Sequence, residues 1–202
     1  MHDGPFAFHG QQLTLDEYLD HSDDYFWKAS KSGHWRLERL QSFVELEDRS
    51  WEALVRGDWT RSMELLTQDI PQIREQEERI ARNGGFRRVR VVREPFTPYL
   101  IWELNALRIR HEYGSSIHVV DMEVVAPLEA NGNLPEILIL CDEVVYQVLY
   151  DKRSKADGAI VSTDRTIIGN WAELIENLYN KGEDLEGYFE RKIAGLTPSN
   201  AG

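Results

Sequence analysis

The run Arg87-Arg88-Val89-Arg90-Val91-Val92-Arg93-Glu94-Pro95-Phe96-Thr97-Pro98-Tyr99-Leu100-Ile101-Trp102-Glu103 decides the architecture of this chain. Residues 86–93 alternate and are rich in β-branched side chains, so they read as a strand. Thr97 can cap a helix, with Pro98 at its first position, where a missing N–H does no harm. Leu100, Leu104 and Leu107 give that helix an apolar stripe, and Gly114 fits its end. The strand carries arginines where a buried strand would normally be apolar. Arg88 and Arg90 fall on one face, and Val89 and Val91 on the other.

Working outward toward the C-terminus, residues 116–121 read as a short strand. Residues 122–125 extend it or form another. A strand–helix–strand order favours a right-handed parallel crossover. A loop rich in Asn, Gly and Pro covers 126–135. Two apolar runs, 136–141 and 144–150, then flank Asp142-Glu143 as a tight hairpin and suit central strands. Residues 152–158 form a polar turn and 159–162 a further strand. Asp164 caps a long helix whose face is Ile167, Ile168, Trp171, Leu174, Ile175 and Leu178, with Gly182 as its stop. A terminal helix follows around Leu185, Tyr188, Phe189 and Ile193.

Toward the N-terminus, Thr14 and Glu17 form a capping-box pattern ahead of a helix with Leu15, Tyr18, Leu19, Tyr25 and Phe26 on its apolar face. Ser32-Gly33 ends it, and residues 34–40 are extended. Short and long helices are expected at 50–56 and 60–83, with Pro71 as an interruption point and Asn83-Gly84-Gly85 as a stop. The fold class is α/β, a mixed β-sheet flanked by helices with a helical N-terminal third. The expected organisation is a flexible 1–12, a helical region 13–85 packing on the core, an α/β core domain 86–195 and a flexible 196–202.

Composition bounds the function. The chain has 202 residues, 29% charged and 42% hydrophobic, with a net charge of -12, ordinary for a soluble globular protein except for its acidity. That charge argues against direct nucleic-acid binding, which needs clustered Lys and Arg. Cys141 is the only cysteine, so an intrachain disulfide and a thiolate zinc site are both excluded. Residues 1–10 lack the basic start and apolar run of a signal peptide. No window reaches the roughly 18 apolar residues of a membrane span. The expectation is a cytoplasmic protein.

Chemistry-bearing patterns are few. A buried arginine needs acceptors, and Glu103 and Glu38 are the natural partners of Arg88 and Arg90. Two readings stand: an anion pocket, or a structural ion-pair cluster joining the N-terminal third to the sheet. Tyr99 and Trp102 lie near the start of the helix after the strand, an end that hosts ligands in open α/β sheets. His111 and His118 lack a metal-ligand spacing, and turn chemistry explains Asp142. Cys141 reads as an inert core thiol. No nucleophile elbow, phosphate-binding glycine loop or dinucleotide fingerprint occurs. Catalytic residues, cofactors and metal ligands are therefore expected to be none.

Trp35-Arg36-Leu37-Glu38, the block from Arg88 to Glu103, the apolar segment from Leu138 to Asp142 and the aromatic helix from Trp171 resemble a family of actinobacterial proteins catalogued as a domain of unknown function. The resemblance spans residues 33–188. Such proteins are commonly encoded beside helix-turn-helix regulators, which implies a regulatory setting. This chain departs from the pattern in its long loop at 126–135, its basic turn at 152–156 and its extra N-terminal sequence. A weaker similarity links residues 136–179 to the C-terminal portion of a phospholipase-D-like half, as used by degenerate sensor domains. None of the six histidines has a lysine two positions on, so that superfamily's His-x-Lys chemistry is missing. The expectation is a non-catalytic regulatory or ligand-sensing module, with a helix-turn-helix regulator or an anionic small molecule as partner. Its candidate site is Arg88, Arg90, Tyr99, Glu103, Arg36 and Glu38. The alternative is a small enzyme of specialised metabolism acting there on an anionic or acyl substrate. A third reading is a homodimeric structural protein.

Overall fold

Most of the helices begin where a side chain accepts from a free backbone N–H. The computed structural model describes residues 8–28, 30–45, 47–130 and 132–198. After β1 (Gln11–Leu13), α1 (Leu15–Phe26) opens on the anticipated capping box, with Glu17 accepting from the Thr14 N–H at 2.8 Å. β2 (His34–Glu38) follows, then α2 (Arg49–Val55) and α3 (Trp59–Gln68), capped by Asp48 and Asp58. α4 (Ile70–Arg82) starts afresh with Pro71 in its first turn, so the expected long helix is two. β3 (Phe86–Val92) and α5 (Pro98–Glu112) flank the proline-bounded turn, and the Thr97 hydroxyl accepts from the Leu100 N–H. β4 (Ser116–Asp121) leads into α6 (Met122–Val125) and a 3-10 turn (Ala126–Glu129). β5 (Glu136–Leu140), β6 (Val144–Tyr150) and β7 (Ala156–Ser162) form a meander. α7 (Arg165–Lys181), β8 (Glu183–Asp184) and α8 (Leu185–Lys192) close the fold.

The eight strands of the described residues form one mixed sheet in the order β1-β7-β6-β5-β2-β3-β4-β8. β2, β3 and β4 are parallel neighbours, as strand–helix–strand units require, whereas β2 meets β5 antiparallel. The α/β expectation stands. β2 precedes Gly85, where the helical N-terminal region was expected to give way to the core, and lies hydrogen-bonded between β5 and β3. The N-terminal region thus supplies a central strand as well as helices. Residues 122–125, expected as strand, turn into α6: Val125 is buried while Glu123 and Val124 face solvent, and Pro127 follows. Of the termini expected to be flexible, residues 1–7 and 199–202 lie outside the described residues.

The two faces of the sheet differ in kind. α7 covers one with Ile167, Ile168, Trp171, Leu174, Ile175 and Leu178, packed on Leu37, Val89, Val91, Ile137, Ile139 and Val145. Full burial of such a side chain contributes about 1.5–3 kcal/mol. The opposite face, under α1, α4 and α5, carries a charged stripe between two apolar clusters. Among the described residues no helix is long and apolar enough to cross a membrane.

Candidate functional site

The charged stripe follows from strand register. β2 and β3 run parallel with Arg36 beside Arg88 and Glu38 beside Arg90. Side chains two apart share a face, so all four project from the surface opposite Leu37 and Val89. Neighbouring guanidiniums repel, and Glu38 answers them. Its Oε2 accepts from Arg88 at 2.6 Å, and its Oε1 lies 2.7 Å from Arg36 Nε. Burial alone would raise the Glu38 carboxyl, but Arg88, Arg36 and Arg90 together hold it well below the ordinary range.

Arg90 sits deeper. Its guanidinium has no exposed surface; Nε donates to Glu103 Oε2 at 2.7 Å, and a terminal N–H donates to the Val91 carbonyl at 3.0 Å. Burial pushes the Glu103 carboxyl upward against the pull of Arg90. The Tyr99 hydroxyl donates to Glu45 at 2.5 Å and lies 3.3 Å from Glu103. Burial raises that phenol far above its ordinary value, so it stays a neutral donor. Glu136 accepts from the backbone N–H groups of Arg39 and Leu40, the latter at 2.7 Å, and burial pushes it to about 7.

All six residues singled out from the sequence meet in this network, yet they divide. Arg90, Glu103 and Tyr99 are sealed between β3 and α5, where Tyr99 packs with Phe43, Leu66 and Trp102. Arg36 and Arg88 line an open cleft of about 310 Å³, and Glu38 stands behind them as their shared counter-ion. Sequence reasoning missed the other walls. Arg110 reaches the cleft from α5, held by Glu77 Oε1 at 2.7 Å and by Gln76, while the Ser115 hydroxyl donates to Glu77 Oε2 at 2.6 Å. α1 contributes Tyr18, Ser22 and Phe26. The sequence signal for Arg110 is slight, since a basic residue in a last helical turn is explained by the helix dipole alone.

The remaining candidates are engaged elsewhere. His111 pairs with Asp184 at 3.3 Å, and His118 stacks on the Tyr179 ring with centroids 3.7 Å apart. The Cys141 thiol donates to the Tyr25 carbonyl, and burial raises it. Among the described residues no group of three His, Cys, Asp or Glu side chains is placed to hold a metal ion.

A family model described as a domain of unknown function, DUF6879, matches residues 20–190. No curated protein matches. Among solved structures, the chain is similar to TrmBL2, an archaeal chromatin protein described as showing a novel mode of DNA binding, at 11% identity and a TM-score of 0.45. The match covers 88% of this chain and 54% of that one, so the chain spans about half the length of that protein.

Proposed function

We propose that this chain, which belongs to the DUF6879 family, is a regulatory module without catalysis of its own that senses a small anion and acts through a partner protein. One observation carries the reading: Arg36, Arg88 and Arg110 converge on a single cleft, from two adjacent strands and the helix beside them. Guanidiniums recognise carboxylate and phosphate through paired N–H donors. The cleft is also where α1, α4 and α5 meet the sheet. An anion bound there ties three helices to β2 and β3, a contact able to favour one arrangement over another. The regulatory setting implied by the family resemblance favours a helix-turn-helix regulator as partner. A degenerate phospholipase-D-like sensor half is the finer reading of the fold, and the missing His-x-Lys sequence accords with sensing.

The alternative, an enzyme acting on an anionic or acyl substrate, would use the same cleft. Its two carboxylates, Glu38 and Glu77, each accept from arginine. That suits them as counter-ions and leaves them poorly disposed as general bases.

The test is a thermal-shift screen of the purified chain against phosphorylated metabolites, nucleotides, amino acids and acyl carriers. A ligand at 100 times its Kd stabilises by about 2.7 kcal/mol, a rise of roughly 5–11 °C in Tm at this size. The shift should disappear in Arg88→Gln. A screen in which no anion raises the Tm overturns the reading.

A further inference from the structure

We infer that the ligand of the Arg36/Arg88/Arg110 cleft is a small organic monoanion, a carboxylate on an apolar body, and not free phosphate or another dianion; the inference rests on the sensing role proposed above.

Hydrogen-bonding capacity is the first argument. The acceptors around the cleft are already engaged: Glu38 by Arg88 and Arg36, Glu77 by Arg110 and Ser115, and the Gln76 carbonyl by Arg110. What is left over is donor: Arg88 Nε is buried without a partner. Arg36 Nε, although 2.7 Å from Glu38 Oε1, is likewise buried without a hydrogen-bond partner. A buried donor left unmade costs more than an average hydrogen bond returns, so the ligand must bring acceptors.

Charge is the second. Three guanidiniums face two carboxylates, Glu38 and Glu77, leaving an excess of one positive charge. A monoanion closes that balance. A dianion overshoots it beside two carboxylates in a partly enclosed cleft, where uncompensated charge is expensive.

Shape is the third. Phe26, Ile80, Phe86 and Leu138 wall the cleft, and the Phe86 ring lies under the Arg88 guanidinium at 5.4 Å. A bare inorganic ion leaves that apolar surface wet, whereas an aryl or short alkyl group covers it. The volume of about 310 Å³ is at the small end for ligand pockets.

Titration calorimetry on the full chain tests this with benzoate, phenylacetate and hexanoate, set against phenylacetamide as the neutral isostere, phenylphosphonate as the dianion and inorganic phosphate. At least one carboxylate should bind, with phenylacetamide, phenylphosphonate and phosphate each weaker by about tenfold or more. Arg110→Gln should weaken the carboxylate by a similar factor. Ser22→Phe, which fills the cleft and removes no charge, should abolish binding while the protein stays folded. Phosphate or phenylphosphonate binding more tightly than every carboxylate overturns the monoanion assignment and leaves anion sensing standing. Equal binding of phenylacetamide, or no binding by any anion, overturns both.

Discussion

Arg90 Nε donates to Glu103 Oε2 at 2.7 Å, joining the middle of β3 to the second turn of α5 with no exposed surface on the guanidinium. The pair closes a network that also holds Tyr99, and Arg90 further caps the Val91 carbonyl. Two buried charges taken from water are not in themselves a source of stability, because desolvation offsets most of their attraction. Losing one partner is different, since the other is left uncompensated.

Arg90→Ala is therefore expected to cost about 3–5 kcal/mol, read as a lowered midpoint in urea. The paired replacement Arg90→Met with Glu103→Leu should cost much less, because it removes both charges and keeps apolar volume. A midpoint unchanged in Arg90→Ala would show that the pair does not anchor α5.

Glu136 gives a pH signature of definite sign. Burial raises its folded-state value to about 7, above an ordinary 4.5, although two backbone N–H groups favour the charged form. A raised carboxyl stabilises the fold fully below the unfolded value, and that contribution is lost as pH climbs from about 4.5 to about 7. The span corresponds to on the order of 3 kcal/mol as an upper bound. Glu38 works in the opposite sense: its lowered value stabilises above the ordinary range and fails as pH falls through it. Denaturant unfolding of the wild type at about pH 5 and about pH 8 should show greater stability at the lower value. Glu136→Gln keeps an acceptor for Arg39 and Leu40 and should reduce that difference. An identical difference in the variant would remove Glu136 as its source.

Local pattern carried much of this fold into the sequence, and distance in the chain hid the rest. Alternation alone placed Arg88 and Arg90 opposite Val89 and Val91, and Thr97-Pro98 marked the start of α5. Asp142 belongs to the hairpin turn expected there, with a left-handed φ of 54°. β1 and β8 escaped notice because strands of three and two residues show no period. Residues 34–38 were legible as extended. Their place between β3 and β5 was not, since it depends on Arg36 pairing with Leu138 about a hundred positions away. The cleft was half visible for the same reason. Arg36 and Arg88 each sit in a legible extended segment, β2 and β3, whereas Arg110 joins them only because α4 carries Glu77 against the end of α5.

Gly158 links the sheet edge to the roof of the cleft. It has a φ of 126°, beside the irregularity where β6 and β7 change register at Leu149 and Tyr150. A Cβ there would lie 2.2 Å from the Leu13 carbonyl oxygen, at the junction of β1 and α1. Gly158→Ala meets both a strained backbone and a backbone clash, so it should destabilise by about 1–3 kcal/mol. The damage should be directional. β1 and α1 must move away from β7, and α1 brings Tyr18, Ser22 and Phe26 to the cleft, while the Arg36–Glu38–Arg88 cluster stays on β2 and β3. Hydrogen exchange should therefore quicken in residues 11–26 and stay slow in β2 and β3, with anion affinity reduced in the same variant. Unchanged protection across 11–26 would show that α1 is held independently of its contact with β7.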